Sequence, residues 1–379
     1  MSTKPEVGIG IVGYGFMGRA HAYGYSVAPR IRELPCTPRL RVMSGRSEEG
    51  VARAAHAYGV ERWTTDWREV VSSPDVHIVD VCTPPGAHAE AVEAAAAEGK
   101  AVLCEKPLAA DYASALSMAR AVDEARVPNA VGFNYRRLPA VALMKRMVDE
   151  GRIGDVLLWR GTWLSDEFLD PDIPFDWRFD LATGGSTIAD LGAHLVDLAL
   201  WMVGDVDEVD AHSETFTRQR SGRAVEIDDA SAALLRFAGG ARGTFEVAKV
   251  AARRPCDYFV ELNGTAGTLR FEYPRLNELW YGDGREEAAL YGMRRIRAEH
   301  PTHPYAAEWW PIGQGVGYGM TFVAQATELL ERWPEGPWEP DLSHGARVQA
   351  VCEAIERSAG ERRWVAVSEV AKGSDSEGV

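Results

Sequence analysis

Val7-Gly8-Ile9-Gly10-Ile11-Val12 is a short apolar run, and Gly13-Tyr14-Gly15-Phe16-Met17-Gly18 follows it directly. The hexapeptide G-x-G-x-x-G carries little weight alone. Here it closes a strand and opens a helix predicted over Phe16–Val27, which is the context that gives it meaning. Gly13 suits a tight turn, Gly15 lets a pyrophosphate approach the backbone, and Gly18 lets helix and strand pack closely. The pyrophosphate would rest on the helix N-terminus, where free N–H groups and the helix dipole favour negative charge. Phe16 and Met17 lie in the same turn and are counted with the nucleotide-binding residues.

Outward from this stretch, strands and helices alternate to about Phe133. Strands are predicted over Leu40–Ser44, Val76–Cys82, Ala101–Cys104 and Ala130–Phe133, and helices over Glu48–Tyr58, Ala87–Glu98 and Tyr112–Ala125. Val76–Cys82 is a nearly continuous apolar run into which Asp80 intrudes. Such alternation implies a parallel, doubly wound sheet with right-handed crossovers. From about Gly154 the pattern changes to β-branched and aromatic stretches joined by glycine turns: Val156–Trp163, Ala230–Phe237, Gly243–Val250 and Phe259–Asn263. Turn-sized links predict an antiparallel sheet. Helices are predicted over Ile188–Met202, Phe322–Glu331 and His344–Ala359. The expected fold class is therefore α/β: a doubly wound parallel-sheet domain over 1–133, an α+β domain with a large open antiparallel sheet over 134–372, and a flexible tail over 373–379.

Composition narrows the function. The 379 residues are 46% hydrophobic and 26% charged, ordinary for a soluble globular chain. Lys plus Arg number 41 against 56 Asp plus Glu, a net charge of −15. That balance opposes binding to nucleic acid or to an anionic membrane. Five cysteines without a CxxC pair predict free thiols. No signal-like N-terminus and no apolar stretch near the ~18 residues that span a bilayer are visible, so a cytoplasmic location is expected.

The predicted second strand ends in Ser44-Gly45-Arg46-Ser47. No carboxylate stands there to hold ribose hydroxyls and repel a 2′-phosphate. Arg46 can pair with such a phosphate and Ser44 and Ser47 can donate to it. Arg46 stacked on adenine with plain NAD is the competing reading, so the cofactor is NAD(P), leaning to NADP. Glu105-Lys106-Pro107 follows the strand Ala101–Cys104, at the carboxyl edge where such sheets bind ligands. Asp190 and His194 stand four residues apart, on one face of a helix.

In this order and at these separations, the glycine fingerprint, Thr83-Pro84 with His88, Glu105-Lys106-Pro107 and Asp190…His194 resemble the glucose–fructose oxidoreductase/inositol dehydrogenase (Gfo/Idh/MocA) family over about Val7 to Ala359. The resemblance implies a Rossmann domain followed by an open-sheet domain for substrate binding and oligomer contacts. It implies a catalytic Lys106, Asp190 and His194, and adds Thr83, Pro84, His88, Glu105 and Lys106 to the cofactor residues. One departure is Pro85, where the family often has Asn.

The chemistry suits those residue types. Oxidising a secondary alcohol moves a hydride to the nicotinamide and a proton to a base, and His194 titrates near working pH. Lys106 can stabilise the developing alkoxide, and Asp190 can orient the substrate or the imidazole. Tyr135, Arg136, Trp163, Trp177, Arg178 and His303 are the expected substrate residues, because aromatic faces with charged partners suit a carbohydrate ring. The Phe-Asn-Tyr-Arg-Arg and Trp-Arg pieces resemble family members that oxidise sugars or anhydrosugars. The run Arg294-Arg295-Ile296-Arg297 suits either an anionic group or a solvated surface. His300 and His303 lack a carboxylate or cysteine at ligand spacing, so no metal is expected. The leading expectation is a sugar, polyol or glycoside dehydrogenase. The alternatives are a redox-neutral glycoside-cleaving enzyme and a non-catalytic nucleotide sensor. An open sheet face predicts a dimer or tetramer.

Overall fold

The computed structural model describes residues 4–307 and 310–376. It divides into two compact units, Met1–Asn134 with Gly317–Ala346, and Tyr135–Val316 with Arg347–Val379.

The first unit is built on six strands: β1 (Glu6–Val12), β2 (Thr37–Ser44), β3 (Arg62–Thr64), β4 (Ile78–Val81), β5 (Ala101–Cys104) and β6 (Asn129–Val131). All neighbours are parallel, in the order β3-β2-β1-β4-β5-β6. Five helices alternate with them: α1 (Phe16–Ile31), α2 (Glu48–Tyr58), α3 (Trp67–Ser72), α4 (His88–Ala97) and α5 (Tyr112–Ala125). β1, β4 and β5 are buried along nearly their whole length, as a sheet covered on both faces requires. The strand order reverses between β1 and β4. A doubly wound sheet binds its ligand at the carboxyl end of such a switch point, and Gly13 and Thr83 stand there.

Two boundaries differ from expectation. α1 runs to Ile31 and β2 begins at Thr37, so both reach beyond the helix Phe16–Val27 and the strand Leu40–Ser44 predicted for them.

The second unit carries α6 (Pro139–Asp149), which the sequence reading lacks, and then β7 (Val156–Leu164), α7 (Ala193–Met202) and β8 (Val206–Glu214). A small ribbon, β9 (Gln219–Arg220) and β10 (Arg223–Ala224), precedes β11 (Ala230–Phe237), β12 (Arg242–Ala248), β13 (Asp257–Gly264), β14 (Gly267–Glu272), β15 (Glu278–Asp283) and β16 (Arg294–Arg297). α8 (Gly319–Glu331), α9 (Leu342–Glu361), β17 (Val365–Ala366) and α10 (Val367–Ser376) complete the chain.

The large sheet has nine strands in the order β16-β15-β14-β13-β7-β12-β11-β8-β17. It is mixed, because β7 runs parallel to β12 while its other pairs are antiparallel. β11 and β12 alternate buried and exposed residues, so one face is core and the other open. Trp159, Phe245, Tyr258 and Phe271 fill the core face.

The sequence predicts an uninterrupted second domain over 134–372, but Gly317–Ala346 returns to the first unit. α8 packs on α1 there: a Cβ on Gly24 would lie 2.6 Å from Phe322 O, and Arg32 pairs with Glu331 at 2.8 Å. α10 carries 373–376 of the expected tail, and 377–379 lie outside the described residues. The basic run forms edge strand β16, where Arg294, Arg295 and Arg297 pair with Glu286, Glu278 and Glu299 at 2.6, 3.2 and 3.3 Å. Those carboxylates already neutralise the charge that would have received an anion. No helix among the described residues is long and apolar enough to cross a membrane.

Candidate active site

Backbone conformation builds the nucleotide end of the first unit. Gly13 has φ +110°, and a Cβ there would lie 2.7 Å from Cys82 O. A Cβ on Gly18 would strike Gly13 O, so helix and strand approach too closely for any side chain. Gly15 caps α1 with no side-chain acceptor and no acidic residue in the first turn, which leaves the orphan N–H groups of the helix start available. Nothing lies within 4 Å of where its Cβ would be. The hydroxyl of Thr83 is buried without a hydrogen-bond partner among the described residues. This donor set and open face fit a dinucleotide pyrophosphate. Phe16 is exposed at the rim, Met17 is half-buried, and Pro84 leads into a short 3-10 turn, Pro85–Ala87.

At the end of β2, Arg46 and Ser47 are exposed while Ser44 is buried. The Ser47 hydroxyl also caps α2, accepting the Gly50 N–H at 3.2 Å.

His88 opens α4. It is fully buried, with Nδ1 3.0 Å from Leu108 O and Nε2 2.7 Å from Thr83 O. Burial lowers its pKa, and its ring ties the loop after β4 to the loop after β5. Glu105 is buried too, while Lys106 beside it is half-exposed.

In the second unit the predicted helix Ile188–Met202 begins as a wide π-turn, Ile188–Gly192, and continues as α7. Such turns recur at functional sites. Asp228 anchors the start, accepting the N–H groups of Thr187 and Ile188 at 2.8 and 3.2 Å. Asp190 lies in the π-turn, where its Oδ2 is 2.5 Å from Lys249 Nζ. Lys249 is almost fully buried, with Phe168 under its ammonium at 4.2 Å and Glu167 3.5 Å away.

His194 sits in the first turn of α7 inside an aromatic nest. The Tyr135 ring meets it edge-on at 4.6 Å, and Trp163 lies 5.4 Å away at a 35° tilt. Tyr258 packs on both, 5.2 Å from Tyr135 and 4.9 Å from Trp163, and Tyr273 lies 5.7 Å from Tyr135. Burial pushes the Tyr273 hydroxyl up to about 12 and Tyr258 well above its ordinary value, so both stay protonated donors. The structure thus brings Tyr135 and Trp163 to His194, largely as the walls that hold the imidazole. Lys249, Tyr258 and Tyr273 are absent from the sequence reading. Tyr258 lies on β13, Lys249 just past the end of β12 and Tyr273 just past the end of β14, a grouping visible only once the sheet order is known.

Arg136, expected to bind substrate, is instead neutralised. Its Nε and Nη2 donate to Asp197 Oδ1 at 3.0 and 2.6 Å, and Trp201 covers its guanidinium at 4.7 Å. Both partners are buried, so the pair locks α7 in place. Trp177 and Arg178 form a short turn, with the guanidinium 4.6 Å over the indole and 3.1 Å from Asp176. Gly185 lies against their carbonyls, which sets them beside the approach to the π-turn. His303 is not brought to His194: its neighbours are His300 and Arg146 of α6, and burial followed by the Arg146 charge lowers its pKa. Trp309, in the same stretch, lies outside the described residues.

Comparison with known proteins agrees with this geometry. Residues 7–133 match the oxidoreductase family with an NAD-binding Rossmann fold, and residues 141–270 match the GFO/IDH/MocA C-terminal domain. The chain belongs to the GFO/IDH/MocA family of oxidoreductases. It is 36% identical to levoglucosan dehydrogenase of Pseudarthrobacter phenanthrenivorans, covering 96% of this chain and 99% of that one. It is 26% identical to inositol 2-dehydrogenase of Rhizobium meliloti, again over 96% and 99%. A solved levoglucosan dehydrogenase with NADH and levoglucosan superposes with a TM-score of 0.93 at 37% identity, covering 96% of this chain and 99% of that one. An oxidoreductase domain protein from Kribbella flavida gives the same TM-score at 42% identity and the same coverage.

Proposed function

We propose that this chain is a nicotinamide-dependent dehydrogenase oxidising a secondary hydroxyl of a cyclic sugar, polyol or glycoside, with an anhydrosugar such as levoglucosan as the first substrate to test. The observation that carries the reading is the second unit's polar centre: a histidine walled by two aromatic rings, following an aspartate fixed by a buried lysine. The bound nicotinamide supplies the hydride acceptor at C4. His194 takes the hydroxyl proton, its ring orientation held by Tyr135 and Trp163. Lys106 hydrogen-bonds the same oxygen and stabilises the alkoxide as it forms. Asp190, aimed by Lys249, orients the hydroxyl or the imidazole. Trp177 offers an apolar face to a sugar ring.

The named relatives are dehydrogenases, which supports net oxidation over redox-neutral cleavage. Arg46, exposed where β2 ends without a carboxylate, supports acceptance of NADP. Solved levoglucosan dehydrogenase complexes similar to this chain hold NADH. Association into a dimer or tetramer through the open sheet face, and a cytoplasmic location, complete the reading; sedimentation velocity reads the first. The mechanism is tested by Lys106→Ala and His194→Asn, each expected to lower kcat on levoglucosan by roughly 10²–10⁴-fold while NADH still binds. Retained turnover in both variants would remove these residues from the chemistry.

A further inference from the structure

Asp80 interrupts the otherwise apolar β4, and the structure shows what accommodates it. His21, on α1, has Nδ1 2.9 Å from both Asp80 oxygens, and its Nε2 lies 3.0 Å from Glu105 Oε1 in a charge contact not aligned as a hydrogen bond. All three side chains are buried. Glu105 stands at the end of β5, and its other oxygen, Oε2, accepts the Lys106 backbone N–H at 3.2 Å. A Cβ on Gly132 would collide with Glu105 Oε1, so that glycine leaves the space the carboxylate occupies. Phe322 closes the remaining side of the imidazole at 5.5 Å. An unbroken line therefore runs from the middle of the sheet to the peptide that carries Lys106: Asp80, His21, Glu105, Lys106 N–H.

The geometry points to a positioning relay: Asp80 and His21 hold the Glu105 carboxylate, and Glu105 fixes the backbone of Lys106 for hydride-transfer chemistry. The inference rests on the reading of Lys106 as catalytic. Two buried carboxylates without a cation would be strongly unfavourable, and an imidazolium between them supplies it. Burial by itself lowers the His21 pKa, but the adjoining Asp80 charge raises it well above its ordinary value. Cys82, 3.2 Å from Asp80 Oδ1, is pushed up by burial and stays a neutral thiol. Tyr25 faces Asp80 from α1 and is likewise held neutral by burial. His21 thus carries a standing positive charge through neutral pH, and the relay is a fixed brace, not a switch. Asp80, His21 and Cys82 also place three ligand atoms within 4.8 Å of one another. Their separations are accounted for by the hydrogen bonds and the charge pair.

The test uses His21→Gln, Glu105→Gln and the double variant in the full chain, with levoglucosan and NAD⁺ as probes. Each single change is expected to lower kcat about tenfold or more, and His21→Gln to leave the Kd for NADH within about twofold. The double variant should fall no further than Glu105→Gln alone, because His21 acts only through Glu105. Amide hydrogen exchange should quicken at Lys106 and not along Ala101–Cys104, a readout independent of turnover. Gly132→Ala, which displaces the carboxylate and spares His21, should reproduce the loss if His21→Gln fails to fold. Wild-type kcat in His21→Gln, with Lys106→Ala inactive, would reduce His21 to packing and overturn the relay. Activity in Lys106→Ala would instead overturn the catalytic reading on which it rests. Stoichiometric zinc in the purified protein would put a metal ion in place of the proton and overturn it as well.

Discussion

The two units place polar groups by opposite means. In the first, the nucleotide end is made of backbone: three glycines within six residues, an uncapped helix start and a strand order that reverses beside them. Side chains matter mainly by being absent. In the second, the backbone supplies only a scaffold, and the centre is assembled from Tyr135, Trp163, Asp190, His194, Lys249 and Tyr258, drawn from α7, the π-turn before it and several strands. The lesson is about sequence distance. A site made of backbone is local, so a hexapeptide reports it. A site made of side chains depends on sheet register, which no short stretch reports.

Substitutions can break that contrast, and Lys249 has the largest expected effect. Lys249→Met removes the buried ammonium that holds Asp190, and losing one partner of a largely buried pair costs about 2–4 kcal/mol. A large fall in Tm is expected, with kcat lowered and NADH binding kept. Lys249→Met combined with Asp190→Asn should recover much of the stability but not the turnover. If kcat survives in the single variant, Asp190 needs no positioning.

Gly18→Val probes the backbone site. Overpacking of this kind costs about 1–3 kcal/mol, so the Kd for NADH is expected to rise roughly 10- to 100-fold in a fluorescence titration. An unchanged Kd would mean that the close approach of α1 to Gly13 is incidental. Arg46→Asp comes next: it should weaken NADP about tenfold or more and leave NAD nearly unchanged. Equal effects on both would place Arg46 on the adenine instead of a 2′-phosphate.

The smallest effect is a pH dependence in the second unit. Ser186 donates to Glu356 at 2.7 Å, and burial raises that carboxyl to about 7. A carboxyl raised above its unfolded value stabilises the fold while protonated, and that contribution is lost as pH climbs from about 4.5 through 7. Glu356→Gln should therefore match the wild type near pH 5 and be more stable at pH 8, by on the order of 1–2 kcal/mol since the residue is partly exposed. Parallel Tm curves across that range would show that Glu356 titrates normally.

These contrasts explain what the sequence disclosed. The doubly wound sheet and the fingerprint turn were legible because each is short-range, and Lys106, Asp190 and His194 stood out as candidates because they carry a family pattern. The pairing of Arg136 with Asp197 was not legible, because Asp197 lies 61 residues on and nothing near Arg136 announces it. Lys249 was missed for the same reason, standing 59 residues from Asp190. His88 carries the right residue type at the right edge, but burial between two carbonyls turns it inward. The return of α8 to the first unit joins Asn134 to Thr321 across 187 residues. The parallel pairing of β7 with β12 is likewise a matter of topology, to which alternating burial along either strand is indifferent.

The account's central claim is that this chain moves a hydride from a ring hydroxyl to a nicotinamide. It is tested most directly by absorbance at 340 nm, with purified protein, levoglucosan, sugars and inositols in separate wells, and NAD⁺ or NADP⁺ as acceptor. The expected result is a rise in at least one carbohydrate well that disappears in His194→Asn. A panel flat in every well, with NADH binding intact and aglycone released from glycosides, would contradict it.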